Sequence, residues 1–97
     1  MLANRIAEAL ENSNQNGLVY GEEERSIIQN VIMTQTRDIP NKITQALENA
    51  NPTGLNYGEG ERNIIRRVMY NSLMDAYGAD KDSPMRKTIY NYLIDTD

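Results

Sequence analysis

Asn12-Ser13-Asn14-Gln15-Asn16-Gly17-Leu18-Val19-Tyr20-Gly21-Glu22-Glu23-Glu24-Arg25 returns as Asn49-Ala50-Asn51-Pro52-Thr53-Gly54-Leu55-Asn56-Tyr57-Gly58-Glu59-Gly60-Glu61-Arg62, 37 residues on and without a gap. Extended outward, residues 4–33 align with residues 41–70, and 17 of the 30 positions are identical, far more than chance delivers in so short a segment. The chain contains an internal duplication, and whatever fold one copy adopts the other is expected to share.

Each copy reads as two helices around a loop. Leu2, Ile6, Ala9 and Leu10 are spaced to line one helical face, in a helix expected to run to about Asn12. The asparagine- and glycine-rich stretch that follows cannot continue a helix cheaply, and Asn16-Gly17 is suited to a turn. Gly21 then stands where an N-cap would, with Glu22, Glu23 and Glu24 in the first turn against the positive end of the helix dipole. The second helix is expected to carry Ile27, Ile28, Val31 and Ile32 inward and to end near Thr36. Arg37-Asp38-Ile39-Pro40 joins the copies, with the proline placed to open a helix because its missing N–H would be unsatisfied in the first turn anyway.

In the second copy Ile39, Ile43, Ala46 and Leu47 take the places of Leu2, Ile6, Ala9 and Leu10. Pro52 replaces Gln15, which supports a loop at that point in both copies. The fourth helix is expected from about Glu59 to Tyr77, with Gly78 as its C-terminal cap. Ser83 and Pro84 then suit the start of a fifth helix, residues 84–95, with Met85, Ile89, Tyr92 and Leu93 on one face and no counterpart in the repeat.

The expectation is therefore an all-α single domain spanning residues 1–97: tandem duplicated helical hairpins forming a four-helix core with pseudo-twofold symmetry, plus a C-terminal fifth helix placed over Tyr70, Met74 and Tyr77. A hairpin of this size cannot alone remove enough apolar surface from water to offset its ordering entropy. The duplicated faces must therefore pair, either within the chain or between chains as a homodimer. The expected core is Ile6, Leu10, Ile27, Ile28, Val31, Ile43, Leu47, Ile64, Ile65 and Val68.

Composition narrows the function. The net charge of −4 disfavours a general binder of nucleic acid or anionic membranes, both of which need clustered positive charge. Arg62, Arg66 and Arg67 lie close together on the fourth helix, but Glu59 and Glu61 accompany them, so a solvated face is the better reading. There is no cysteine and no histidine, which removes thiol chemistry, the commonest general base and the commonest metal ligand. No apolar run approaches the length of a membrane span and no signal-peptide pattern opens the chain, so a cytoplasmic location is expected. Twelve asparagines are a bias of the kind an AT-rich genome, such as a virus's, produces. No catalytic constellation is found, no cofactor is implied, and the chain is not read as an enzyme.

The residues retained in both copies without an obvious core role are Tyr20 and Tyr57, Glu22 and Glu59, Glu24 and Glu61, Arg25 and Arg62, and Glu11 and Glu48. One reading is local, with each tyrosine ring lying on its own arginine at the start of a helix, as in a staple with a cation–π contact. The other makes Tyr20, Glu22, Arg25, Tyr57, Glu59 and Arg62 a recognition surface of aromatic and arginine residues for a protein partner. The tyrosine-rich carboxyl half, with Tyr70, Tyr77, Tyr90 and Tyr92, suits such a role because tyrosine gives contact area at little entropic cost. On this reading the chain is a small acidic protein-interaction module, an adaptor or inhibitor of a larger protein, with no nucleic-acid or membrane partner.

The first loop also resembles the calcium loop of the EF-hand family, since Asn12, Asn14, Asn16, Gly17, Val19 and Glu23 fall on that loop's ligand, glycine, apolar and bidentate-carboxylate positions. The resemblance implies a calcium site. Amides replace the expected aspartates, Gly60 stands where the second loop needs its glutamate, and Asn56 replaces the central apolar residue. With so few anionic oxygens the alternative function is a weak calcium or small-ligand binder, and no residue is assigned as a metal ligand.

Overall fold

The computed structural model describes residues 2–13, 20–50, 57–77 and Pro84. Among these, every regular element is an α-helix: α1 Leu2–Ser13, α2 Glu22–Thr34, α3 Ile39–Ala50 and α4 Glu59–Tyr77. The expected fifth helix and the cap at Gly78 lie outside the described residues, Pro84 aside, as do both hairpin loops at residues 14–19 and 51–56.

The helices pack as a closed ring, α1 against α2, α2 against α3, α3 against α4 and α4 against α1, with no close approach along either diagonal. Each pairing has a counterpart 37 residues away. The α1 with α2 contact matches α3 with α4, and α1 with α4 matches α3 with α2.

The buried face of α1 is Ala3, Ile6, Ala7 and Leu10, and that of α3 is Ile39, Pro40, Ile43, Thr44 and Leu47. Residues three and four apart share a helical face, so each set forms one stripe. Leu2 and Ala9, expected at the centre of the α1 stripe, sit at its edge and are only partly buried, and Ala46 does the same on α3. The inner face is built on small residues at Ala3 and Ala7, which let neighbouring helices come close. Thr44, at the position equivalent to Ala7, is buried because its hydroxyl donates to the Asn41 carbonyl at 2.8 Å and is thus satisfied inside its own helix.

Of the expected core, Ile6, Leu10, Ile28, Val31, Ile43, Leu47 and Ile65 are buried, whereas Ile27, Ile64 and Val68 are partly buried against it. Ala3, Ala7, Ile39, Met69, Tyr20 and Tyr57 complete the core. Each fully buried isoleucine or leucine contributes roughly 1.5–3 kcal/mol relative to exposure, so this cluster is the dominant stabilising term.

Helix ends are set by local chemistry. Ser13 donates to the Leu10 carbonyl at 2.8 Å at the end of α1, and Thr34 donates to the Asn30 carbonyl at 2.8 Å at the end of α2. α2 stops two residues before the expected Thr36, where Gln35 turns to extended backbone while its N–H still reaches the Val31 carbonyl. Residues 35–38 then reverse the chain. Asp38 takes a positive φ of 49°, and its carbonyl accepts the first helical bond of α3 from the Lys42 N–H at 3.1 Å. Among the described residues no helix is long and apolar enough to cross a membrane.

Candidate functional site

The repeated Tyr-Gly-Glu-x-Glu-Arg segment forms two copies of one arrangement. At the start of α2 the Tyr20 N–H donates to the Glu11 carboxylate at 2.8 Å, and the Arg25 guanidinium donates to the Tyr20 carbonyl at 3.0 Å. Both backbone polar groups of Tyr20 are thereby held by side chains from the two helices that flank the loop. The next N–H, that of Gly21, donates to Glu24 at 2.7 Å. This is one half of a capping box, and glycine has no side chain to supply the other half.

The second copy repeats each bond. The Tyr57 N–H donates to Glu48 at 2.9 Å, the Tyr57 carbonyl accepts from Arg62 at 3.0 Å, and the Gly58 N–H donates to Glu61. Each arginine is tied to its tyrosine's carbonyl, and the rings turn inward.

The two rings meet in the core, where the Tyr20 hydroxyl donates to the Tyr57 hydroxyl at 2.9 Å. Their exposures are 2% and 3%. Burial pushes the Tyr57 phenol well above its ordinary range. The hydrogen bond to Tyr20, the charge Tyr20 would carry and the carboxylates of Glu24 and Glu48 push the same way. Glu24 belongs to the first repeat and Glu48 to the second, so acidic groups of both repeats bear on the pair.

The recognition surface expected from Tyr20, Glu22, Arg25, Tyr57, Glu59 and Arg62 thus offers no aromatic ring to solvent, since both tyrosines lie inside. Glu22 and Glu59 are exposed, while Arg25 and Arg62 are partly buried. The copies differ in what surrounds the arginines. Arg25 also donates to Asn4 of α1 at 3.1 Å and lies 3.7 Å from Glu11. Arg62 pairs instead with Glu59 at 3.3 Å, and Arg66 joins that carboxylate at 2.9 Å. The hydrogen bonds from Arg66 and Arg62 hold the Glu59 carboxyl below its usual range. Gln29 occupies the first-copy position of Arg66, so no such pair forms on α2.

The outer faces of α2 and α4 carry a further relationship. Met33 is 74% exposed and Tyr70 is 41% exposed, the two large hydrophobic residues left outside among those described. They are separated by 37 residues and therefore occupy the same position in the two copies. Met33 borders a groove of about 440 Å³ lined by Asn4 of α1 and by Glu22, Arg25, Ser26 and Gln29 of α2. The sequence marks Tyr70 as a candidate contact residue and as a residue under the expected fifth helix, but not its equivalence with Met33, because that position is not identical between copies.

Of the residues that carry the EF-hand resemblance in the first loop, Asn14, Asn16, Gly17 and Val19 lie outside the described residues. No family matches the chain, and neither a curated protein nor a solved structure matches it.

Proposed function

We propose that this chain is a small non-catalytic protein-interaction module, an adaptor or inhibitor of a larger protein, that engages its partner through the outer faces of α2 and α4. In this reading the hairpins are related by a pseudo-twofold axis passing between the Tyr20 and Tyr57 hydroxyls. The symmetry carries Met33 onto Tyr70 and so creates two related contact points.

The observation that carries the reading is the equivalence of Met33 and Tyr70. The repeated polar residues Glu11, Glu24, Arg25, Glu48, Glu61 and Arg62 are engaged with backbone groups, so helix starts alone account for their retention. Large apolar side chains exposed at one and the same repeat position, fully or in part, serve no such purpose. Methionine and tyrosine are residue types enriched in protein interfaces. Arg67, exposed three residues before Tyr70, adds a third such residue type to the α4 face.

The test compares the full chain with a Met33→Ser, Tyr70→Ser double variant as bait in capture from native cytoplasm. The reading expects the same proteins to be retained by wild type and lost by the variant at a temperature where both remain folded. Equal retention by both would overturn it.

A further inference from the structure

We propose that the chain also pairs with a second copy of itself by exchanging hairpins, α1 and α2 of each molecule packing on α3 and α4 of the other. The inference is independent of the partner-binding reading, and Met33 and Tyr70 take no part in it.

Contacts between the hairpins, α1 with α4 and α2 with α3, are more extensive than those within either hairpin. The core is therefore mainly an interface between two similar halves of one chain. A second copy presents the same surfaces, and an exchanged pair retains every contact of the closed molecule, with Tyr20 of each chain meeting Tyr57 of the other. Only residues 35–38 have a different conformation in the two states.

Those residues favour exchange. The connection is four residues long between Thr34 and Ile39, and it must bring α3 back alongside α2. It does so with Asp38 at a φ of 49°, in the left-handed region that disfavours residues bearing a Cβ, although aspartate tolerates it better than most. In the exchanged state α2 and α3 run apart and Asp38 is free to return to ordinary backbone angles. A short hinge under strain joining two complementary halves is the arrangement that promotes domain swapping.

The experiment uses the full chain, unfolded in denaturant and refolded over a range of protein concentrations, with mass read by light scattering after size exclusion. The expected result is a dimer whose fraction rises with refolding concentration. Its helical circular dichroism per residue matches the monomer's, and it converts to monomer slowly because the hairpins must first part. Deleting Thr36, an exposed linker residue, is expected to raise the dimer fraction, and inserting Gly-Ser-Gly-Ser after Thr36 to lower it. Asp38→Gly removes the backbone cost from each of the two closed monomers that would form a dimer and is expected to shift the dimerisation constant towards monomer by on the order of tenfold.

If the deletion variant fails to fold, complementation decides. Chains carrying Ile6→Asp and Ile43→Asp each have one damaged hairpin, and only exchange can unite the two intact ones. Refolded together, they should give a one-to-one dimer with recovered helix content that neither gives alone. Monomer at every concentration with no complementation overturns the proposal. So does a dimer that ignores linker length and disappears with Met33→Ser and Tyr70→Ser.

Discussion

The Tyr20 hydroxyl lies 2.9 Å from the Tyr57 hydroxyl inside the core, although the two residues are 37 positions apart. Each residue is the other's counterpart in the duplication, so the bond joins equivalent atoms of the two halves. A polar contact there is costly to break and specifies how the halves align, because a shift of one hairpin against the other would strand two buried hydroxyls.

Replacing either tyrosine by phenylalanine is expected to cost about 1–3 kcal/mol, since the buried hydroxyl left behind loses its bond to the other ring. The double replacement removes both groups and should cost less than the sum of the single changes. A double-mutant cycle in urea denaturation measures that difference, and simple additivity would show that the hydroxyls do not interact.

The same pair makes stability sensitive to alkali. Tyr57 is raised in the folded state above its ordinary value near 10. Its contribution is therefore fully present below about pH 10 and lost as pH rises from there towards the folded value, because the unfolded chain releases the proton first. The loss is at most about 1.4 kcal/mol per pH unit for one such group. Tyr57→Phe cannot titrate at this position, so the stability gap between wild type and variant should narrow above about pH 10. Unfolding curves at stepped alkaline pH read the gap directly.

The clamp on the tyrosine backbone gives a graded prediction. Glu11→Gln keeps an acceptor for the Tyr20 N–H and loses only the charge near Arg25, so it should cost under about 1 kcal/mol. Glu11→Ala leaves that N–H without its side-chain acceptor and should cost about 1–3 kcal/mol. Glu48→Gln and Glu48→Ala should follow the same order at Tyr57. Equal effects of the glutamine and alanine variants in thermal melts would mean that the carboxylates act through charge alone.

Much of the all-α architecture is legible in the sequence, because the repeat, the apolar spacing and the acidic first turns after Gly21 and Gly58 point to the same helices. The start of α4 at Glu59 follows from those signals directly. The phase of α1 was harder to read. Large side chains suggest a stripe through Leu2, but close packing puts Ala3 and Ala7 inside. The tyrosine pair was hidden for a different reason. A repeat establishes that two residues are equivalent, not that they touch, and a residue meets its own counterpart only when it lies between the two halves. Local spacing relates each tyrosine to its own arginine, while the rings' mutual contact depends on how the two halves dock. Tyr70 is named by the sequence, but the exposure it shares with Met33 depends on how the helices pack and not on local spacing.

The last prediction separates the folding role of the repeated segment from partner recognition. Arg25 holds the Tyr20 carbonyl and reaches Asn4 and Glu11, whereas Arg62 holds the Tyr57 carbonyl and shares Glu59 with Arg66. Arg25→Ala therefore removes contacts joining α2 to α1, while Arg62→Ala removes contacts around α4's own start. Arg25→Ala should be the more destabilising, by about 1–2 kcal/mol, with Arg62→Ala nearer 1 kcal/mol. Met33→Ser should leave unfolding within about 0.5 kcal/mol of wild type, since its side chain is 74% exposed, whereas Tyr70→Ser should cost about 1 kcal/mol because Tyr70 is 41% exposed and the rest of it is covered. If the outer faces of α2 and α4 form the contact surface, partner capture will follow the opposite order, weak in the two serine variants and retained in folded Arg25→Ala and Arg62→Ala. Capture lost in the arginine variants at a temperature where they remain folded would return the contact surface to the repeated segment itself.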